Sequence, residues 1–339
     1  MILAIDTSCD DTSAAVVTTS SQVLSNIISS QIDLHKPFGG VVPELACRFH
    51  VEYIDNVVQK ALDTANVSLD EITSIAPTVG PGLSPALLIG ISFSKGLAES
   101  RDIFLLPQNH IESHLLSPFI GLELEPKNCI GLIISGGHTE LYHIKSIHDY
   151  TLLGSTKDDA VGEAFDKVAK MLELGYPGGP KIEELSIKGD EEAIQFPRPM
   201  IQEKSCDFSF SGLKTAVMVY LRKNNSFNLN NVCASFQKAV LDTLISKTER
   251  AIHKTGANQL AIGGGVSCNN YLRRYMTEFF QKKGIDIFFS RPEHCTDNAA
   301  MIGFTASKYI QKGLKVLDRE IDANPNLSLK GFHSQFFNL

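Results

Sequence analysis

In the run Asn109-His110-Ile111-Glu112-Ser113-His114 two imidazoles stand four residues apart. On an α-helix, side chains at that spacing lie one turn apart on one face, near enough to share a metal ion. The competing reading is a pair of helix histidines hydrogen-bonded to neighbours, and spacing alone leaves both open. A zinc-peptidase motif, H-E-x-x-H, sets its carboxylate beside the first histidine. Here Glu112 lies two residues on, about 200° round the helix and away from the imidazole face. Asp297, in CTDNAAMIGF, is read as the cap of the last helix or as a third ligand, and the two are compatible, one carboxylate oxygen capping while the other ligates. Two histidines and one carboxylate leave coordination positions open for substrate oxygens and often hold ferrous iron.

Other residues offer different chemistry. Asp10 and Asp11 crowd two carboxylates into a turn beside Thr7, Ser8 and Cys9. Turn aspartates commonly bond their own backbone; the alternative is that they hold a water or cation, or act as a base. Ser135-Gly136-Gly137 is either a plain hairpin turn or a place where backbone amides meet a phosphoryl or acyl oxygen closely. Asp166, with Asp159, Glu163 and Lys170, falls on the polar side of an amphipathic helix: a solvated face, or a carboxylate that accepts bonds from ribose hydroxyls. Gly178-Gly179-Pro180 reads as a turn by default. In QLAIGGGVSCNNYLRRYM a strand runs into three glycines and then a helix starting near Asn269, a backbone that phosphate or a nucleoside edge can approach. The seven cysteines are scattered, with no C-x-x-C pair, and indicate neither a disulfide framework nor a zinc ribbon; a reducing compartment fits best.

These groups need a scaffold to position them. Residues 2–17 (ILAIDTSCDDTSAAVV) and 129–144 (CIGLIISGGHTELYHI) look like relatives: a buried strand, a tight polar turn, a second strand. Similar hairpins at the start of each half suggest a duplicated, two-lobed α/β fold with ligands in a cleft between the lobes. Apolar spacing predicts helices through Ile54–Leu62, Val161–Leu172, Val232–Ile252 and from Asp297 to about Ile310. FPRPM, residues 196–200, reads as a surface loop, and the stretch after Gly313 has weak periodicity. The 339 residues suggest about two domains at roughly 150 residues each. We expect a first lobe over 1–126, completed by the helix 297–312, a second lobe over 127–296, and a tail over 313–339. No apolar run nears the ~18 residues of a membrane span, and MILAID reads as a strand rather than a leader, so a cytoplasmic protein with no membrane contact is expected. The net charge of -7 argues against a surface that is one nucleic-acid footprint. It is split, however: residues 1–126 carry 15 acidic and 5 basic side chains, residues 127–339 carry 23 and 26.

Taken in order, IDTSCDDT, GGVVPELACRFH, VGPGLSPALLIG, NHIESHLL, SGGHTEL, DDAVGEAFDKVAK, YPGGP, FPRPM, DFSFSGLKTA, GGGVSCNNYLR and RPEHCTDNAAMI resemble the TsaD family from residue 1 to about 312. That family was once described as O-sialoglycoprotein endopeptidase and is now understood as the transferase subunit for tRNA threonylcarbamoyladenosine. The resemblance implies an actin-like fold of the sugar kinase and acetate kinase type. It also implies transfer of the threonylcarbamoyl group from threonylcarbamoyl-AMP to the exocyclic amine of the adenosine 3′ of the anticodon, in tRNAs reading codons that begin with A. By the same resemblance His110, His114 and Asp297 match metal ligands, for Fe2+ with Zn2+ as the alternative. Ile133, Ile134, Ser135, Gly136 and Gly137 match the loop lining the substrate. Asp166 and Glu183 match ribose-side positions, Gly179 and Asn269 adenosine-side contacts, and Asp10 and Asp11 an acidic pair that positions or deprotonates the incoming amine. A paralogous TsaB-type subunit and a TsaE-type ATPase are the implied partners, with tRNA as substrate. The chain departs from the family where Glu is often found at Asp6 and Asp11, and Gly at Ser113; the shorter reach of Asp11 bears on its role. A metallopeptidase, a non-catalytic nucleotide-binding scaffold and a small-molecule kinase are the competing classes. The last two would not need the two-histidine site.

Overall fold

The computed structural model describes residues 1–314, 316 and 320–337. The chain divides into two compact units, Met1–Glu125 with Arg291–Leu339, and Pro126–Ser290. In the first, β1 (Ile2–Asp6) and β2 (Thr12–Val17) form the expected antiparallel hairpin, with Asp6 opposite Ser13, and β3 (Val23–Ser29) extends it. The short α1 (Ile32–His35) and the long α2 (Pro43–Ala65) lead to β4 (Ser74–Gly80), which lies parallel to β1. After α3 (Ser84–Arg101), β5 (Phe104–Leu105) adds in parallel, giving the order β3-β2-β1-β4-β5; β6 (Gln108–Asn109) pairs with β4 and runs directly into α4 (His110–Leu116). Strand alternation sorts the core: Leu3, Ile5, Ala14 and Val16 pack with Ile54, Val57 and Ala61 of α2 and Ala98 of α3.

The second unit repeats the pattern. β7 (Cys129–Ile134), β8 (Thr139–Ser146) and β9 (Asp149–Ser155) form an antiparallel meander, and β10 (Gln259–Gly263) and β11 (Asp286–Phe289) add in parallel on the far side of β7. Its order, β9-β8-β7-β10-β11, is the order of the first sheet strand for strand. The chain between the meander and β10 folds as α5 (Val161–Met171), α6 (Gly178–Ser186), α7 (Ser211–Lys223) and α8 (Leu229–Thr255), and α9 (Asn270–Gln281) links β10 to β11. Leu132, Ile134, Phe165, Phe236, Leu244 and Ile262 belong to one core cluster. The helix expected through Val232–Ile252 is α8, and it stops at Gly256, whose φ of 67° closes it in the left-handed conformation.

Four local expectations are corrected. Gly178-Gly179-Pro180 is the first turn of α6 rather than a free turn, its start held by the Gly178 amide donating to Asp166. The segment 196–200 is not simply a surface loop, because Phe196 is buried and Arg198 makes a two-pronged pair with Asp242. The last long helix, α10 (Ala299–Gln311), begins after Asp297: Asn298 is its cap, its side-chain oxygen accepting from the Met301 amide at 3.1 Å. The segment after Gly313, weak in periodicity, holds α11 (Leu329–Phe336), with Phe332 and Phe336 fully buried at ~2–3 kcal/mol of hydrophobic stabilisation each. The return to the first unit starts at Arg291.

α10 lies against β1 and β2 on the sheet face opposite α2, and Gly303 makes the approach possible. A Cβ there would sit 2.5 Å from Val17 Cγ2 and 3.2 Å from Ala4 Cβ. Gly303→Ala should therefore destabilise the protein by ~1–3 kcal/mol. Adding Val17→Ala should recover part of that loss, so that the double variant melts higher than the two single losses would sum to; strict additivity in thermal denaturation would show that the contact does not limit packing.

Candidate active site

α4 is only seven residues long and every one is buried. Asn109 caps it, its side-chain oxygen accepting from the amides of Ile111 at 2.9 Å and Glu112 at 3.1 Å. The helix turns His110 and His114 onto one face, rings 4.6 Å apart and nearly perpendicular. Asp297, freed from capping by Asn298, meets both: its Oδ1 lies 3.5 Å from His110 Nε2 and 3.1 Å from His114 Nε2. One ligand atom from each of the three residues falls within 4.8 Å of the others.

The end of β1 fixes the first imidazole from behind. His110 Nδ1 is 3.1 Å from Ser8 Oγ and 3.4 Å from Asp6 Oδ2, while Asp6 Oδ1 accepts from the Ser8 amide. A carboxylate on the outer nitrogen leaves Nε2 as the inward-facing one, the usual device for orienting a metal-binding histidine. The electrostatics say what is wanted in the middle. Burial works against charge on His110, but Asp297 and Asp6 outweigh it and hold its pKa up at about 10. At His114 burial prevails and the pKa is lowered. Burial also opposes charge on Asp297, yet His110 and His114 overcome it and keep its carboxyl well below the usual range. In the metal-free chain a proton on His110 thus sits against the Asp297 carboxylate; an ion in its place would be met by two nitrogens and one oxygen, a donor set that suits ferrous iron or zinc. The residues present fit a divalent ion.

The acidic turn between β1 and β2 is pinned by a residue that motif spacing did not single out. His50, buried on α2, bonds Thr12 Oγ1 at 2.8 Å and the Cys9 carbonyl at 3.0 Å. Burial, and then the neighbouring Asp10, push the Asp11 pKa up to about 7. In the second unit, Ile133 and Ile134 are fully buried strand residues, so only their backbone can face a ligand. Ser135 shapes the turn after them: its amide donates to the His138 carbonyl, and its hydroxyl accepts from the His138 amide. Gly136 and Gly137 have open space where side chains would be. Gly264, with φ 91°, lies so close to this strand end that a Cβ would be 2.5 Å from the Ile134 carbonyl oxygen.

Asp166, Gly179, Glu183 and Asn269 come together around the start of α6 and of α9. Asp166 accepts from the Gly178 amide at 2.7 Å, and burial raises its pKa. Gly179 is open at the helix start. Glu183 accepts from the Asn270 amide at 2.7 Å; Asn269 caps α9 and donates to Gln237, which in turn donates to Ser186.

The family model for tRNA N6-adenosine threonylcarbamoyltransferase, TsaD, matches residues 22–304. The chain belongs to the TsaD family. A tRNA N6-adenosine threonylcarbamoyltransferase of Clostridium beijerinckii is 49% identical over 97% of this chain and 98% of its own length. One of Geotalea uraniireducens is 48% identical over 96% and 95%. Membership of the TsaD family makes the chain a tRNA-modifying transferase. Solved structures agree on the fold alone: full-length HypF at TM-score 0.61 and 14% identity, covering 91% of this chain and 55% of that one, and component A of (R)-2-hydroxyglutaryl-CoA dehydratase from Acidaminococcus fermentans at 0.55 and 14%, covering 91% and 98%. The two-lobed, actin-like architecture expected of a TsaD chain is the architecture found.

Sequence reasoning passed over Asp6, Ser8, His50 and Gln237 as site residues. Asn109 carried a readable signal, an N-cap residue three before a glutamate. The others act on partners far along the chain, where spacing is silent. Asp6→Asn should weaken divalent-metal affinity ~10–100-fold in chelator competition; an unchanged affinity would show that His110 is oriented without it.

Proposed function

We propose that this chain transfers the threonylcarbamoyl group from threonylcarbamoyl-AMP to N6 of the adenosine 3′ of the anticodon, in tRNAs reading codons that begin with A, with release of AMP. The observation that carries the reading is the convergence of His110, His114 and Asp297 on one point in a chain of this family. In the reaction the N6 amine forms a C–N bond to the carbamoyl carbon, the C–O bond to the phosphate breaks, and the amine gives up a proton. Asp11, with its pKa near 7, accepts that proton at neutral pH, and His50 holds the turn that carries it. Asp10 positions the amine beside it. An ion on His110, His114 and Asp297, ferrous iron with zinc as the alternative, would supply Lewis acidity toward the phosphate or carbamoyl oxygens of the donor.

Gly136 and Gly137 leave their amides unshielded, so donor oxygens can approach the turn after Ile133, Ile134 and Ser135 closely. Asp166 and Glu183 accept from ribose hydroxyls, and Gly179 and Asn269 border the adenine. Part of the hydrogen-bonding capacity of Asp166 and Glu183 is already used on backbone amides, which fixes each carboxylate in place. The excess of basic over acidic side chains in residues 127–339, 26 against 23, makes this part the tRNA-facing one. The acidic stretch 1–126 then docks a TsaB-type subunit, and a TsaE-type ATPase completes the cycle. A reaction on tRNA places the chain in the cytoplasm, and among the described residues no helix is long and apolar enough to cross a membrane.

The test is incubation of the chain and its partners with threonylcarbamoyl-AMP and unmodified tRNA, followed by nucleoside mass analysis. Threonylcarbamoyladenosine should form with wild type and fall at least ~100-fold with His110→Ala; undiminished product from the variant would overturn the metal-assisted reading. The rate should rise with pH and level off above about 7, and Asp11→Asn should remove that limb. The same shift fixes a stability sign. The folded state binds the Asp11 proton more tightly than the unfolded chain, so its contribution is present below about pH 4 and is lost as pH rises through about 7. Asp11→Asn should accordingly raise the melting temperature of the metal-free protein above pH 7 while it lowers activity. An equal loss of both would mark Asp11 as structural.

A further inference from the structure

On α4 the residue between the two histidines points the other way. Glu112 is fully buried, about 200° round the helix from His110 and from His114. Its Oε2 accepts from the Tyr309 hydroxyl near the end of α10 and lies 3.0 Å from His333 Nε2 on α11, while the Tyr309 hydroxyl and His333 Nε2 are 3.1 Å apart. The same C-terminal segment grips the start of α4, where the Asn109 side chain donates to the Leu327 carbonyl at 3.2 Å. A seven-residue helix is too short to hold its own axis or roll by intrinsic propensity. Turning α4 by ~10° would carry an imidazole tip by ~1 Å, twice the tolerance of a working site.

We propose that Glu112, gripped by Tyr309 and His333, is a positioning residue: the C-terminal segment 320–337 sets the roll of α4 and so the geometry in which His110 and His114 meet Asp297. α10 has both ends in this arrangement, Asp297 just before its first turn and Tyr309 in its last. The Tyr309–Glu112 bond therefore ties the helix that places the carboxylate to the helix that carries the imidazoles. The inference rests on the metal site proposed above and adds to it a part of the chain that matches none of the motifs.

The experiment uses the full-length chain and Co2+ as the probe, reading Kd by chelator competition and coordination by the visible ligand-field bands. His333→Leu should weaken Co2+ at least ~tenfold and alter the bands; Glu112→Gln, which keeps the shape and can still accept from Tyr309, should fall between it and wild type. Leu62→Ala, in the α2 core of the same unit, should lower the melting temperature and leave Kd and bands unchanged. Wild-type Kd and spectrum in both Glu112→Gln and His333→Leu, or an equal loss in Leu62→Ala, would overturn the proposal. Should His333→Leu not fold, Glu112→Gln decides on the same terms. If wild type holds no Co2+, or His110→Ala holds it as well as wild type does, the metal site fails and the positioning role with it; if only the Glu112 and His333 variants behave as wild type, the metal site stands and the positioning role falls.

Discussion

Three ionisable side chains brought to one buried point would repel solvent stabilisation without replacing it unless a charge of the right sign sat among them. In the metal-free chain His110, His114 and Asp297 meet that condition with a proton on His110, between Asp297 on one side and Asp6 on the other; a bound divalent ion would take the place of that proton. Much of the first unit is arranged to hold this cluster. β1 ends where Asp6 and Ser8 reach the outer nitrogen of His110. α10 starts one residue late, so that Asn298 takes the cap and Asp297 is left to the imidazoles. Glycine at 303 lets α10 lie close on the sheet that carries Asp6. Each is a local choice of residue that makes sense only with the cluster in view.

The duplicated sheet shows how one topology is put to two uses. β1–β2 and β7–β8 are equivalent hairpins, and their turns differ in chemistry. The first is acidic and pinned by His50, which burial and Asp10 turn into a place where a carboxyl titrates near neutrality. The second is bare backbone, glycine at 136 and 137 and a serine that folds the turn on itself. The roles proposed for these turns, a proton acceptor and an anion-accepting backbone, call for opposite residue types at the same structural position, which is where the two hairpins differ while the strands beneath stay alike.

The hairpins, the long helices and the shared face of the two histidines were legible because each depends on residues near in sequence: strand alternation, the three-and-four spacing on α2, α5 and α8, and the four-residue gap from His110 to His114. What sequence reasoning missed depends on residues far apart. Asp6 to His110 and His50 to Cys9 cross long stretches of chain, and no period encodes them. The cap was misplaced by one because aspartate and asparagine are equally good N-caps and stand side by side at 297 and 298. α11 was unread because eight residues with a glycine inside carry too little periodicity, although Phe332 and Phe336 are as buried as any core residue.

Glu112 separates the family's older description from its present one on physical grounds. A metallopeptidase needs a carboxylate that takes a proton from water beside the ion, and the only glutamate within the two-histidine run lies on the far face of α4, its carboxylate engaged by Tyr309 and His333. A buried carboxylate with two such partners is held in place by what it would cost to strand any of them. The opposed placement follows from the helix itself: with histidines at i and i+4, the residue at i+2 must point backwards. It can anchor the helix or serve the ion, and here it anchors. In the transfer proposed above the proton acceptor therefore sits on another element: the carboxylate whose surroundings raise its pKa to about 7 is Asp11, on the turn after β1.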